Sequence, residues 1–477
     1  MEFECVIGLE THVQMNTKTK IFCGCSTQFG TGPNHQTCPV CLGLPGVLPV
    51  LNEEVLRKSV MAGLAINCEI SHYSKFDRKN YFYPDLPKAY QISQLDKPIC
   101  KSGHIDVTTP EGPKKIRINR LHMEEDAGKN IHSDDPAKKV SYVDFNRTGV
   151  PLMEIVTEPD ISNGDEAYEY LSKLRQIMKY INVSDCNMEE GSLRCDVNIS
   201  VRPKGDTKLG RKVEIKNMNS FKAVKAAIDY EFKRQVNCVL DKETIAQETR
   251  LWDADKCVTF SMRSKEESQD YRYFPDPDLT PIVIDDEYID KIRSTLPELP
   301  VARETRFKES YGLPDYDAQV LTSYVQVADY YEETVKAGAN PKRASNWIMS
   351  ELLAHVEDQE KIAEFIVKPA ALAKMLVMID NNTISGKIAK TVFAEMLQSG
   401  GDPETIVKEK GLVQVTDTGE IEKIVDGVIA ANPQPVADFK GGNEKAIGFL
   451  VGQVMKQSKG KANPQMANDI LMRKLKG

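Results

Sequence analysis

Two stretches of this chain alternate apolar and polar residues with a period of two, and no other feature restricts the fold as tightly. Leu193, Cys195, Val197, Ile199 and Val201 alternate with Arg194, Asp196, Asn198 and Ser200. Near the N-terminus Ile7, Leu9, Thr11 and Val13 alternate with Gly8, Glu10, His12 and Gln14. That period belongs to a strand with one buried face, so the other face of each stretch is a row of polar groups. Glu10 and His12 therefore point the same way, about 7 Å apart along the strand. A third run, Arg120 to Lys129, places Glu124, Glu125 and Asp126 in succession behind His122. An unpaired buried charge costs several kcal/mol, so these carboxylates must face water, a cation or a cationic partner. A second Met-Glu-Glu, Met188 to Glu190, leads directly into the Leu193 strand.

Oxygen donors with an imidazole among them suit a hard divalent cation, Mg²⁺ or Mn²⁺, which offsets the repulsion between carboxylates. The plainer alternative is a solvated acidic loop beside two half-exposed strands. From Asp144 onward a turn at Gly149 to Pro151 feeds a short apolar strand that carries Glu154. An isolated glutamate there needs a partner, which makes Glu154 a further member of the acidic set.

Cys23-Gly-Cys25 and Cys38-Pro-Val-Cys41 are separated by a loop rich in Gly, Pro and Asn. Two short-spaced pairs of this kind fit a tetrahedral Zn²⁺ held by four thiolates. Such a site is closed and hence structural; four free thiols or a redox pair is the alternative, with His35 available as a substitute ligand. Between Lys75 and Gln94 basic residues, including Lys79 and Lys88, are interleaved with aromatics and broken by prolines. That pattern makes a loop able to neutralise phosphate and stack on a base, or a surface loop anchored by its rings.

Helical spacing appears after Ser162, with a possible capping box at Ser162 and Asp165 and a stripe of Leu171, Leu174, Met178 and Ile181. A second helix begins at Asn219 or Ser220. Strand signals cluster in the first 290 residues instead of alternating regularly with helices, which predicts an α+β domain. From about residue 293 the chain turns helical. The expected domains are an α+β domain over 1–292, a helical bundle over 293–405 and a small helical tail over 406–477.

Net charge is −8, which argues against indiscriminate coating of nucleic acid. Lys440 to Gly477 carries eight basic and two acidic residues, +6, leaving −14 on the rest. This basic tail, with Lys445, Lys456, Lys459 and Lys461 near predicted helix ends, fits RNA phosphates. No apolar run is long enough to span a membrane, the N-terminus is unlike a signal peptide, and the eleven cysteines fit a reducing cytosol, so a cytoplasmic setting is expected.

Ile7 to Gln14, Leu121 to Lys129, Met188 to Ser200, the Lys75 to Gln94 run and Asp270 to Leu279 together resemble GatB, a component of the aspartyl/glutamyl-tRNA amidotransferases, over essentially the whole chain. The resemblance implies a cradle-like catalytic domain and a carbon–nitrogen ligase, a glutamine-hydrolysing glutaminyl/asparaginyl-tRNA synthase. ATP and Mg²⁺ would phosphorylate the side-chain carboxylate of Glu or Asp misacylated on tRNA(Gln) or tRNA(Asn). Ammonia from an amidase subunit, GatA, in a heterotrimer with the small GatC, would displace the phosphate. It implies His12, Glu125 and Glu10 as catalytic metal ligands, with Glu124, Glu190, Asp196 and Glu214 as further members. Lys79 and Lys88 are implied as phosphate ligands beside the nucleotide. No P-loop and no Ser-Ser pair occurs, so neither a Walker nucleotide site nor the amidase signature is present, and the nitrogen must come from another chain. Two rivals remain open: a zinc-stapled tRNA-binding scaffold without chemistry, and a free-standing metallohydrolase.

Overall fold

The computed structural model describes residues 2–133, 140–264, 270–412, 418–458 and 462–476. It divides into two compact units, Met1–Leu299 and Pro300–Gly477.

The first unit is built on a nine-stranded sheet. In chain order its strands are β1 (Phe3–Gln14), β2 (Glu69–Ile70), β3 (Cys100–Thr109), β4 (Gly112–Glu125), β5 (Pro151–Thr157), β6 (Leu193–Pro203), β7 (Val213–Lys216), β8 (Glu248–Asp253) and β9 (Val258–Ser264). They lie in the order β9-β8-β7-β6-β1-β5-β4-β3-β2, antiparallel except where β7 meets β8. The fold is α+β, as the clustering of strand signals predicts. Because the strands pair residue to residue, the period-two pattern becomes a property of the whole sheet. Ile7, Leu9 and Val13 share a face with Met153 and Ile155, Leu121 and Met123, Val197 and Ile199, and Val213 and Ile215, all at 0% exposure. Helices α1 (Glu53–Ala65), α2 (Gly164–Tyr180) and α3 (Phe221–Leu240) add Val60, Leu171, Leu174, Val224 and Ile228 to this core.

The cap of α2 lies one residue later than the expected box. Asn163 accepts from Glu166 N–H, and the Glu166 carboxylate reaches back to Ser162 N–H at 2.8 Å. Asn163 can serve because its side-chain oxygen reaches the third amide onward as well as a serine hydroxyl does. Ser220 caps α3 through Ala223 N–H.

The second unit contains two separate cores. One, from Phe307 to Val407, is enclosed by helices that include Val325–Lys336, Pro369–Asp380 and Gly386–Ser399. The other joins Ile421, Val425, Leu450, Val454 and Leu471 from the tail helices. The helix expected over Ala344 to Val356 stops at Trp347 and passes through a π turn, Ile348–Leu352, into a short 3₁₀ turn. No helix of the described residues is long and apolar enough to cross a membrane.

Candidate active site

The site grows from the parity of β1. Its core-facing residues fix Glu10, His12 and Gln14 on the opposite face. Register then sets His12 directly across from Glu154 on β5 and from Arg194 on β6, and Glu154 across from His122 on β4. Glu124 stands two residues beyond His122, on the same face. His12, Glu124 and Glu154 bring one ligand atom each within 4.8 Å of one another. A neighbouring group on that face, Glu10, Asp196 and Glu214, does the same. Glu10 and His12 are two residues apart on one strand, so the two groups form a continuous acidic strip across β4, β5, β1, β6 and β7.

The charges of the strip are offset from within. His12 Nε2 lies 3.5 Å from Glu154 and 3.8 Å from Glu124, and His122 Nε2 lies 3.3 Å and 3.7 Å from the same pair. Burial opposes charging of the His122 ring, yet Glu154 and Glu124 outweigh it and push its pKa up to about 9. The same balance of burial against Glu154 raises that of His12. Glu154 is itself held well below the usual carboxylate range by His122 and His12, against the effect of burial. In the second group Lys216 contacts Asp196 and stands 3.2 Å from Glu214. Asn198 donates to Glu10 at 2.8 Å and leaves its own buried carbonyl oxygen without a partner. Asp126 closes the end of the strip by accepting from Gln14 at 2.6 Å and Arg194 at 2.8 Å. Oxygen donors with one imidazole, converging on an open sheet face, fit a hard divalent cation.

Several expected site residues therefore gather here: Glu10, His12, Glu124, Asp196 and Glu214. Glu125 does not. Adjacent residues of a strand point to opposite faces, so Glu125 follows Leu121 and Met123 toward the core side. There its carboxylate pairs with Lys88 and accepts from Ile92 N–H at 3.0 Å. The ligand set implied by resemblance, His12 with Glu125, is corrected by the geometry to His12 with Glu124 and Glu154. Glu190 also lies apart, exposed on the turn before β6. The sequence pattern passed over His122, although its alternation with Leu121 and Met123 marks it as polar-face.

Lys79 sits on a short strand, Asp77–Asn80, 4.9 Å from the Tyr271 ring and 5.6 Å from Tyr81. That strand pairs with Phe274–Pro275, and Arg78 bridges Asp276 and Asp278 at 2.8 and 2.9 Å. The segment Asp270 to Leu279 is thereby fastened to the Lys75 to Gln94 run. Between them opens a cleft of about 890 Å³ lined by Tyr81, Phe82, Lys88, Tyr90, Tyr271 and Arg272. It offers aromatic rings and cationic groups together. Lys88 is not a free cation there, because Glu125 engages it.

The four cysteines also converge, with Cys23, Cys25, Cys38 and Cys41 sulfurs within 4.8 Å of one another. Tight turns hold the second pair: Leu42 N–H reaches Cys38 O at 3.1 Å, and Cys38 N–H points at Cys41 Sγ at 3.1 Å. Hydrogen bonding with Cys23, working against burial and helped by Cys38 N–H and Lys20, holds the Cys41 thiol down to about 4. Four sulfurs with one prepared to ionise fit a structural zinc staple. His35 is exposed and outside this group.

In the tail, Lys445 and Lys456 stand at the two ends of helix Ala446–Gln457. Lys440, Lys445 and Lys476 border a cleft of about 770 Å³. Arg473 and Lys474 are instead engaged by Glu422 and Asp426. Lys459 and Lys461 lie outside the described residues.

Residues 5–290 match the family model described as the GatB/GatE catalytic domain, and 329–475 match the one described as the GatB domain. A protein of Carboxydothermus hydrogenoformans, named as the B component of aspartyl/glutamyl-tRNA(Asn/Gln) amidotransferase, is 59% identical over 476 residues, 99% of either chain. Proteins of the same name from Caldanaerobacter subterraneus and Geobacter sulfurreducens are each 56% identical, with 100% of both chains covered. With both family models matched in sequence order and similarity running the full length, the chain belongs to the GatB family of the aspartyl/glutamyl-tRNA(Asn/Gln) amidotransferases.

Proposed function

We propose that this chain carries the ATP-dependent step of a carbon–nitrogen ligase acting on Glu-tRNA(Gln), Asp-tRNA(Asn) or both. An oxygen of the aminoacyl side-chain carboxylate attacks the γ-phosphorus of ATP, and ADP leaves. Ammonia then attacks the resulting acyl phosphate, inorganic phosphate leaves, and the nitrogen gives up a proton. A carboxylate does not accept ammonia at neutral pH until one of its oxygens becomes such a leaving group, and catalysis of the first step is chiefly positioning and charge stabilisation.

The observation that carries this reading is the acidic strip. Mg²⁺ or Mn²⁺ bound there would offset phosphate charge as the γ-phosphoryl moves. His12, Glu124 and Glu154 form one ligand set, and Glu10, Asp196 and Glu214 the other. Lys216, beside the second set, offers an ammonium to a phosphate oxygen. The cleft between Tyr81 and Tyr271, with Lys79 at its margin, suits an adenine ring and phosphates. Zn²⁺ on the four cysteines is a staple with no open position for substrate. The relatives are named as one component of a multi-subunit amidotransferase, which supports a heterotrimer with an amidase, GatA, and a small GatC, the amidase supplying ammonia. Eleven free cysteines support a cytoplasmic setting.

Incubating the assembled complex with Glu-tRNA(Gln) and γ-labelled ATP tests the reading. Label should pass to the aminoacyl group when glutamine and ammonia are withheld. Tight tRNA binding with no such transfer would favour the scaffold instead.

The tail is the proposed tRNA contact. Deleting residues 406–477 is expected to weaken tRNA binding and to flatten the fall of affinity with salt, because each lysine–phosphate contact releases counterion. Glutamine hydrolysis by the partner should persist. Filter binding at several salt concentrations measures the slope, and an unchanged slope would remove the tail from the interface.

A further inference from the structure

Lys20 is fully buried, at 0% exposure, yet neither the acidic strip nor the nucleotide cleft uses it. Its Nζ donates to Gln36 O at 2.7 Å and contacts Phe145 O at 3.4 Å and Cys41 Sγ at 3.7 Å. Of these contacts only the sulfur can become an anion. The backbone of the same residue serves the other cysteine pair, since Lys20 N–H donates to Cys25 O at 2.9 Å. One residue thus touches both halves of the sulfur cluster. The next residue continues the link, with Ile21 N–H bonded to Gly149 O and Gly149 N–H to Asp126 O, each at 2.9 Å.

The charges explain why a lysine stands there. Four thiolates around Zn²⁺ leave a net charge of −2, and an uncompensated charge of that size is costly in a half-buried loop. An ammonium buried without an anion is costly too. We propose that Lys20 is the counter-charge of the zinc–thiolate centre, a positioning residue that offsets half of its net charge through Cys41 and fastens the loop to the Phe145–Gly149 segment. This inference rests on the zinc reading. Neighbouring groups that hydrogen-bond to metal ligands typically change metal affinity about 10- to 100-fold, and a full charge at a thiolate belongs in that range.

The test compares Lys20→Gln, Lys20→Met and Lys20→Arg with the unaltered chain in its complex. Glutamine keeps donors for the Gln36 and Phe145 carbonyls without the charge, whereas arginine keeps the charge. Zinc content and the rate of zinc transfer to a chromophoric chelator are read first, then the sulfur-to-metal band of the Co²⁺-substituted proteins. Lys20→Gln is expected to release zinc about tenfold faster or more. Its Co²⁺ band should move to lower energy, because thiolate electrons lose a stabilising positive charge. Lys20→Arg should stay near the unaltered rate. If Lys20→Met does not fold, the Gln and Arg variants give the same comparison. Lys20→Gln with unaltered release and spectrum would overturn the proposal and leave Lys20 a post for two carbonyls. Absence of zinc from the unaltered protein would overturn the zinc reading itself.

Discussion

Replacing Glu154 with glutamine is expected to slow phosphorylation of the aminoacyl group by about 10² or more, equivalent to roughly 2.7 kcal/mol of lost transition-state stabilisation. The substitution keeps the size of the side chain but removes a full charge from between His12 and His122, which lie 3.5 and 3.3 Å from its oxygen. Affinity for tRNA and glutamine hydrolysis by the partner should change little, since neither uses this carboxylate. Measuring all three on one preparation distinguishes the explanations. A selective loss assigns Glu154 to the phosphoryl-transfer site; a parallel decline of all three indicates a folding role; near-normal phosphorylation removes Glu154 from the site. Glu125→Gln is the instructive companion. Its carboxylate faces Lys88 on the other side of β4, so its loss acts by stranding a buried ammonium and should show first as lowered thermal stability.

The second large effect is on metal and stability together. Cys38→Ser is expected to abolish the one zinc per chain, because a serine hydroxyl cannot replace a thiolate in a closed four-sulfur site. Structural zinc contributes to folding on the order of 10 kcal/mol in small isolated modules. In a unit of this size each kcal/mol lost lowers the melting temperature by about 2–4 °C. The expected result is a loss of many degrees, matched by chelation of the unaltered protein and not added to by it. Zinc retained at full stoichiometry in the variant would sink the four-cysteine assignment.

Much of the site could be read from alternation. Once Ile7, Leu9 and Val13 are taken as core, Glu10 and His12 must share the other face, and the same step places Asp196 on β6 and Glu214 on β7. The need of an isolated glutamate for a partner pointed to Glu154. The error lay in reading Glu124, Glu125 and Asp126 as one acidic run. They end a strand, and Leu121 and Met123 already carry the parity that separates Glu124 from Glu125. Other features had no local signal. The pairing of Phe274–Pro275 with Asp77–Asn80 joins segments about two hundred residues apart, and the π turn at Ile348–Leu352 breaks a helix whose composition is ordinary. Carboxylates did enter the interior, at 3% exposure for Glu124, 2% for Glu125 and 4% for Asp126. Each did so beside a cationic group, as the desolvation argument requires.

The place of β1 in the sheet has a consequence for synthesis on the ribosome. This strand is made first, yet its two neighbours are β5 and β6, which end at Thr157 and Pro203. At translation rates of about 5–20 residues per second, roughly 10–40 s separate the emergence of Gln14 from that of Pro203. During that interval the central strand has both hydrogen-bonding edges open and its apolar side uncovered. Closure of the sheet is therefore a late event that depends on contacts distant in sequence, the slow kind of folding step. Glu10 and His12, spaced along the waiting strand, put charge where a bare β-edge would otherwise invite pairing with another nascent chain.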